Sequence, residues 1–297
     1  MATGRRARLV APMSADKPVM NNNNFRVGHR GERRSTPPPR ERPGPGTREG
    51  PMNRRIRMIV PVPVPEAALA GFASQIPAHL VRPDISVEFT CAARGGATLD
   101  SSYEGAIADA FCLEAGARAE AEGFDAVCIN SMSDSGVTAL RSRLSIPVVG
   151  TAQATYLLAC QLGRRFSIIS MWDRWRWLYE KVLGEQGLED RLASIRSIGV
   201  RPDTAELLAG KEDSVFPLLL DAAQAAIEQD GADLLILGST TMHQSHAFLA
   251  ERLSVPVLNP GLVAFKSCEM LLDLGLAHSK RRYPGPERTA DGIFDGR

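Results

Sequence analysis

Two segments of this chain share one pattern: an aspartate, a short apolar run, and a serine six positions after the aspartate. They read FDAVCINSMSDSG and ADLLILGSTTMHQS, and aligning Asp125 with Asp233 places Ser131 on Ser239. An apolar run bounded by small polar residues is typical of a buried strand in a parallel sheet. The repeat therefore predicts two copies of one α/β unit.

The rest of the chain supports this interpretation, because apolar strand-like runs alternate with segments that have helical spacing. The strand-like runs are IRMIVPVPV, ISVEFTCA, DAVCINS and IPVVG, then RFSIIS, ASIRSIGV, DLLILGS and VPVLN. Alternating strands and helices predict parallel sheets covered on both faces. We expect an α/β fold with two pseudosymmetric lobes, each a parallel sheet covered by helices, and an active-site cleft between them.

The predicted domain organisation follows from these patterns. Residues 1–53 are rich in Arg and Pro with almost no apolar periodicity, so we expect a disordered extension that is dispensable, although an RNA-binding or targeting tail is the alternative. Residues 54–150 form the first lobe, completed by a C-terminal helix over 260–276. Residues 151–259 form the second lobe, and residues 277–297 form a tail.

Charge and cysteine content exclude several classes of protein. The formal net charge is +1, but residues 1–55 hold 12 Arg, one Lys and four acids, which leaves an acidic folded body and argues against nucleic-acid binding. Five scattered cysteines without C-x-x-C spacing suggest reduced thiols and a cytoplasmic protein. No apolar run is long enough to span a membrane. Glycine-rich phosphate motifs are also lacking, so we expect no nucleotide cofactor.

The two repeated serines lie where ligands bind in open parallel sheets, beyond the carboxyl ends of the strands. If the lobes face each other, Ser131 and Ser239 approach one small molecule from opposite sides. The hydroxyls of Ser239, Thr240 and Thr241 are suited to bind a carboxylate or to stabilise an enolate oxygen. The alternative is that they only cap the helix that follows.

Seven motifs in order resemble the aspartate/glutamate/hydantoin racemase superfamily, and its hydantoin racemase branch most of all. They are EGFDAVCINSMSDSG, IPVVGTAQA, LGRRFSIIS, GLEDRLASIRSIGV, DGADLLILGSTTM, LSVPVLNPGLVAFK and LGLAHSKRRY. The resemblance extends from Arg57 to Tyr283. It implies an enzyme without a cofactor that acts on a small molecule, with racemase, isomerase or decarboxylase outcomes, and we expect a homo-oligomer.

The resemblance also shows where this chain departs from the superfamily. Racemases of that superfamily place a cysteine in each lobe, whereas this chain has Ser131 and Ser239 at those positions. A serine hydroxyl has a pKa about 7 units above that of a thiol, so proton transfer between two thiols is not expected here. A glutamate expected after IPVVG is Gln153, and the usual loop after the first strand is replaced by Pro61, Val62, Pro63 and Val64.

Eleven residues make up the predicted site. Ser131, Ser239 and His243 are predicted to be catalytic, and Asn130, Met132, Asp134, Gln153, Thr240, Thr241, Pro63 and Trp172 are predicted to bind substrate. His243 follows the hydroxyl cluster and titrates near neutral pH, which suits a proton carrier, although a capping or solvent-facing histidine is the alternative. The His243-x-x-His246 pair lacks a third ligand nearby, so we expect no metal.

Three functions remain open at this point. The first is a cofactor-independent enzyme that forms an enolate-like intermediate from a small carboxylate or hydantoin-like compound. The second is a hydrolase or lyase in which His243 activates one of the two serines, although no G-x-S-x-G motif is found. The third is a small-molecule binding protein without catalysis.

Overall fold

The computed structural model describes residues 53–202 and 214–294, which belong to one compact unit. Its first half contains a parallel sheet of four strands in the order β2-β1-β3-β4. The strands are β1 (Arg54–Val60), β2 (Ile85–Cys91), β3 (Ala126–Ile129) and β4 (Val148–Gly150). The helices between them are α1 (Glu66–Ala73), α2 (Ser102–Gly116) and α3 (Val137–Arg143).

The second half repeats this arrangement in a sheet with the order β6-β5-β7-β8. Its strands are β5 (Phe166–Ser170), β6 (Leu192–Ser197), β7 (Leu234–Leu237) and β8 (Val257–Leu258). The helices of this half are α4 (Thr151–Leu162), α5 (Arg176–Gln186), α6 (Phe216–Glu228), α7 (Ser245–Ala250) and α8 (Pro260–Asp273). The two sheets have matching strand orders, so the predicted fold class of two pseudosymmetric α/β lobes is confirmed.

The repeated aspartates have matching structural roles. Asp125 Oδ2 accepts a hydrogen bond from the backbone N–H of Arg55 at 2.8 Å, at the start of β1. Asp233 Oδ2 accepts from the N–H groups of Arg164 and Arg165 at 2.7 and 2.8 Å, just before β5. These bonds to its ionised form lower the pKa of Asp233. Each aspartate thus ties a central strand to the strand beside it.

Strands β3 and β7 lie inside their sheets, and all four residues of each are buried. Such strands have apolar neighbours on both faces, which accounts for their unbroken apolar runs. The chain can become polar only where each strand leaves the sheet. The two serine-rich segments therefore begin at the carboxyl ends of β3 and β7.

Helix α8 packs on the first sheet, where Phe265 and Cys268 share an apolar core with Ile56 and Met58. It ends at Asp273 rather than at the predicted residue 276, because Gly275 adopts a positive φ of 62° that leaves the helical region. The chain beyond it lies against α3, where Lys280 Nζ donates to the carbonyl of Leu144.

The proposed domain boundaries stay predictions. Residues 1–52, which include nearly all of the predicted extension, lie outside the described residues.

Candidate active site

The polar segments after β3 and β7 fold in the same way. Ser131 Oγ accepts hydrogen bonds from the N–H and the hydroxyl of Ser133, at 3.2 and 3.1 Å. Ser239 Oγ accepts from the N–H of Thr241 at 3.3 Å and lies 2.8 Å from its hydroxyl. Ser239 thereby caps a short 3-10 helix over Thr240–Gln244. Capping is therefore part of its role.

Both segments line one cavity of about 70 Å³. The lining includes Asn130, Ser131 and Met132 from the first lobe, and Ser239, Thr240 and Thr241 from the second. Six of the eleven predicted residues are thus brought together here. Thr240 Oγ1 also donates to the backbone carbonyl of Asn130 at 3.3 Å, which joins the ends of β3 and β7 across the two lobes.

The side chain of Asn130 is the least satisfied polar group in this wall. The residue is 1% exposed, and neither the nitrogen nor the oxygen of its amide has a hydrogen-bond partner. Most buried polar side-chain atoms in proteins have at least one partner. Both atoms are buried, and the amide oxygen lies beside the start of α8, where a Cβ on Gly261 would come within 3.4 Å of it.

The remaining wall is mainly apolar, and several of its residues were not predicted from the sequence. They include Val60, Val62, Phe72, Leu99, Trp175 and Leu178. Among the described residues, none that lines the cavity is Asp, Glu, His, Lys, Arg or Cys. The polar part of the wall consists of hydroxyls, the Asn130 amide and backbone groups.

His243 does not line the cavity. Its Nδ1 lies 3.1 Å from the carbonyl of Thr240, and its Nε2 lies 3.2 Å from the hydroxyl of Ser74. Burial lowers its pKa, which favours the neutral ring. Its Nδ1 contacts a backbone carbonyl and its Nε2 contacts Ser74, which does not line the cavity, so the described geometry does not place His243 as a proton carrier for a ligand.

Asp134 and Gln153 lie in a different polar cluster. The Asp134 carboxylate accepts the N–H groups of Ala152 and Gln153 at 2.8 and 2.9 Å, and so caps the start of α4. Burial raises the pKa of Asp134 to about 6. The side-chain amide oxygen of Gln153 accepts a hydrogen bond from the Arg141 guanidinium at 2.6 Å. These bonds hold both side chains in structural positions.

Pro63 and Trp172 also lie outside the cavity. Residues close to them in sequence line its wall instead. Pro61 and Val62 line the wall that Pro63 was predicted to form, and Trp175 lines the wall instead of Trp172. The two tryptophan rings meet edge to face with centroids 6.5 Å apart. Sequence spacing gives no means of choosing among three nearby tryptophans.

Two observations concern groups that the fold does not supply. Within residues 53–202 and 214–294, no three His, Cys, Asp or Glu side chains cluster in a way that suits a metal ion. No helix in those two ranges has both the length and the apolar character required to cross a membrane.

Comparison with known proteins agrees with this architecture. Residues 66–268 match the family model described as Asp/Glu/Hydantoin racemase. The chain belongs to the Asp/Glu/hydantoin racemase family. The resemblance inferred from seven motifs is therefore confirmed, and the protein is a member of a family of racemases and isomerases.

Individual relatives support the same assignment. A hydantoin racemase of Paenarthrobacter aurescens is 30% identical over 230 residues, which cover 76% of this chain and 94% of the relative. A hydantoin racemase of Pseudomonas sp. (strain NS671) is also 30% identical, over 70% of this chain and 82% of the relative. The structure of allantoin racemase from Klebsiella pneumoniae superposes with a TM-score of 0.71 at 27% identity, covering 80% of this racemase-family chain and 95% of that one.

Proposed function

We propose that this racemase-family protein is a cofactor-independent enzyme that acts on a small carboxylate or hydantoin-like compound through an enolate-like intermediate. The observation that carries the proposal is the composition of one cavity wall. Serine and threonine residues from the ends of β3 and β7 line it together. This set of neutral donors is suited to an oxygen on which negative charge develops.

The apolar part of the wall strengthens these donors. Phe72, Leu99 and Trp175 add apolar surface to the cavity wall that contains Ser131 and Ser239. A hydrogen bond to a charged oxygen is stronger in a medium of low dielectric constant than in water. An enolate in this cavity is therefore stabilised more than a neutral carbonyl.

The step that forms the enolate is constrained by the lack of an ionisable side chain in the described wall. Removing a proton from carbon requires a base, and a serine hydroxyl, whose pKa lies far above neutrality, is not one at neutral pH. Loss of carbon dioxide requires no base, because the electron pair of the breaking C–C bond forms the enolate. Water then supplies the proton. Decarboxylation is the outcome that this wall supports best.

A hydantoin-like ring is the second substrate class that we propose for this cavity. The relatives named above are hydantoin and allantoin racemases. A hydantoin ring carries N–H and C=O groups side by side, which complement hydroxyls, since a hydroxyl both donates and accepts hydrogen bonds. Such a compound is uncharged, as is the described wall of the cavity.

Hydrolysis by a Ser-His pair has less support. Ser131 Oγ is bonded to Ser133, and Ser239 Oγ to Thr241. The ring of His243 bonds elsewhere, to Thr240 and Ser74. An activated serine needs its base within hydrogen-bond reach, which neither serine has in this conformation.

Binding without catalysis is the second candidate function. The observation that favours it is the same uncharged wall, because a ligand held by hydroxyls is recognised without any group that carries a proton away. A binding protein and a decarboxylase have the same donors in this cavity. Only turnover distinguishes them.

The test compares the turnover of two compound classes. Turnover of 2-substituted malonates is measured as release of carbon dioxide, and turnover of enantiopure 5-substituted hydantoins is measured as a change in optical rotation. We expect Ser239→Ala to lower turnover of the accepted compound by about 10²- to 10³-fold with an intact fold. The matched control is Ser167→Ala, a buried serine of β5 that contacts Ser194 and does not line the cavity. Binding of a compound without its conversion would favour the non-catalytic binding protein. Turnover that neither Ser131→Ala nor Ser239→Ala changes would overturn the proposed role of both serine hydroxyls.

A further inference from the structure

A groove of about 640 Å³ lies along helices α4 and α8, and none of its lining residues lines the cavity between the lobes. Its walls are mainly apolar and include Leu157, Leu158, Val263 and Met270. Leu157 is 48% exposed and Met270 is 54% exposed. The volume lies within the range of about 300 to 1,000 Å³ that is common for small-molecule sites.

Arg141 lies at this groove, with 7% of its surface exposed. Its guanidinium donates to the carbonyl of Val148, to the Tyr283 hydroxyl and to the Gln153 amide oxygen, at 3.1, 3.4 and 2.6 Å. All three acceptors are neutral. Among the described residues, no carboxylate makes an ion pair with Arg141. A buried arginine without such a partner is uncommon, because burial removes the hydration of the charge.

The other ionisable side chains that line the groove add no unpaired charge to it. Lys266 also lines the groove, but its ammonium is neutralised by Glu269 at 2.6 Å. His278 lines it as a neutral ring, since burial and the charge of Arg141 lower its pKa to about 4. No acidic residue in the described part of the chain lines the groove. Among the described residues that line the groove, Arg141 is therefore the cation that no carboxylate contacts directly.

Arg141 also lines a second, polar cleft on another side, together with Asp109, Asp134 and Glu185. The Asp134 carboxylate is occupied by two N–H groups of α4 but still acts on Arg141 through space. Lys181 and Arg282 also line that cleft, so its three carboxylates are matched by three cations and an anion there would meet no net positive charge. An anion in the apolar groove would face no carboxylate among the described residues, so charge complementarity favours the groove.

We propose that this groove binds a small amphiphilic anion, an aliphatic carboxylate of medium chain length. Its carboxylate accepts hydrogen bonds from Arg141, and its chain covers the apolar side chains of α4 and α8. Planar guanidinium groups recognise carboxylates through paired hydrogen bonds. The site is separate from the cavity between the lobes, and the proposal does not rest on the reaction proposed there.

The test uses octanoate as the probe and octanamide as its neutral match, with binding measured by titration calorimetry. We expect octanoate to bind and octanamide to bind about 10- to 100-fold more weakly, because a hydrogen bond to a charged group is stronger than a neutral one. Ser267→Phe fills the groove without removing Arg141 and is expected to abolish binding. Its control, Thr138→Phe, places the same ring in the polar cleft and leaves binding unchanged.

Arg141→Gln removes the positive charge, and we expect this variant to bind octanoate and octanamide with equal affinity. Circular dichroism and melting temperature check that it folds, and Ser267→Phe keeps the test decisive if it does not. Equal affinity for the two probes in the unaltered protein, or octanoate binding that survives Ser267→Phe, overturns the proposal. A third outcome also overturns the proposal: the unaltered protein is a dimer and binds no octanoate, and Met270→Glu dissociates the dimer. The groove would then be covered by a second copy of the chain.

Discussion

Trp175 Nε1 donates a hydrogen bond of 2.7 Å to the backbone carbonyl of Thr98, and this bond links the second lobe to a loop of the first. Both residues line the cavity. Trp177 makes a parallel bond of 3.3 Å to the carbonyl of Leu99, a residue with a positive φ of 53°. The two indoles hold the loop before α2 as one wall of the cavity.

Trp175→Phe is expected to loosen this wall. Phenylalanine keeps the aromatic surface but leaves the Thr98 carbonyl without its donor, which lowers the free energy of unfolding by about 0.5 to 1.5 kcal/mol. Urea unfolding measures the change in stability, and titration calorimetry with a 5-substituted hydantoin measures any loss of affinity. Trp172→Phe is the control, because that ring lies outside the cavity. Equal effects of the two substitutions would contradict the assignment of the wall to Trp175.

Replacing both serines, as Ser131→Cys with Ser239→Cys, is expected to create proton exchange that the natural protein lacks. A thiol with a pKa near 8.5 supplies a thiolate base at neutral pH. Deprotonating a serine hydroxyl costs about 10 kcal/mol more free energy than deprotonating a thiol. The measurement is exchange of the Cα proton of a 5-substituted hydantoin with deuterated water, followed by NMR.

The control for that experiment is Ser167→Cys, which adds a buried thiol on β5 outside the cavity and is expected to give no exchange. Rapid racemisation by the unaltered protein that neither serine substitution slows would show that the two hydroxyls have no part in the chemistry.

His278 is expected to make the fold less stable in mild acid. Burial, together with the charge of Arg141, lowers its pKa from 6.5 to about 4, and its Nε2 accepts from the N–H of Val148 at 2.8 Å. As pH falls through this window, the unfolded chain takes up the proton first, so stability present above pH 6.5 is lost towards pH 4. Asp134, whose pKa is raised to about 6, acts in the opposite direction over its own range.

His278→Gln isolates this contribution, because glutamine also offers an acceptor to Val148 but does not titrate. We expect the unfolding free energy of the variant to fall less between about pH 7 and about pH 4.5 than that of the unaltered protein. Substitution at the exposed His79, as His79→Gln, is the matched control. Parallel pH curves for the unaltered protein and His278→Gln would refute the assignment.

A chain that begins at Met52 is expected to keep its melting temperature and any activity. The composition of residues 1–51, with many Arg and Pro and few apolar residues, motivates this prediction. Differential scanning calorimetry of the two chains measures it directly. A large loss of stability or of activity would show that the segment contributes to the fold or to the site.

The sequence by itself determined the fold class and predicted where the candidate site lies. Strand-like apolar runs and their repeat predicted two parallel sheets, because periodicity and burial are local properties that the chain carries along its length. The same reasoning placed Ser131 and Ser239 at strand ends. In the structure both line one cavity, because parallel strands all present their carboxyl ends at one edge of a sheet.

The tertiary structure alone decided which neighbours of those serines meet in the cavity. His243, Asp134 and Trp172 are close to the site in sequence, yet helix capping and the direction of each side chain turn them towards other partners. Trp175 and Leu99 are distant in sequence but share a wall, since the lobes meet there. Contacts between lobes depend on how two surfaces pack, and spacing along one chain does not encode that in any readable pattern.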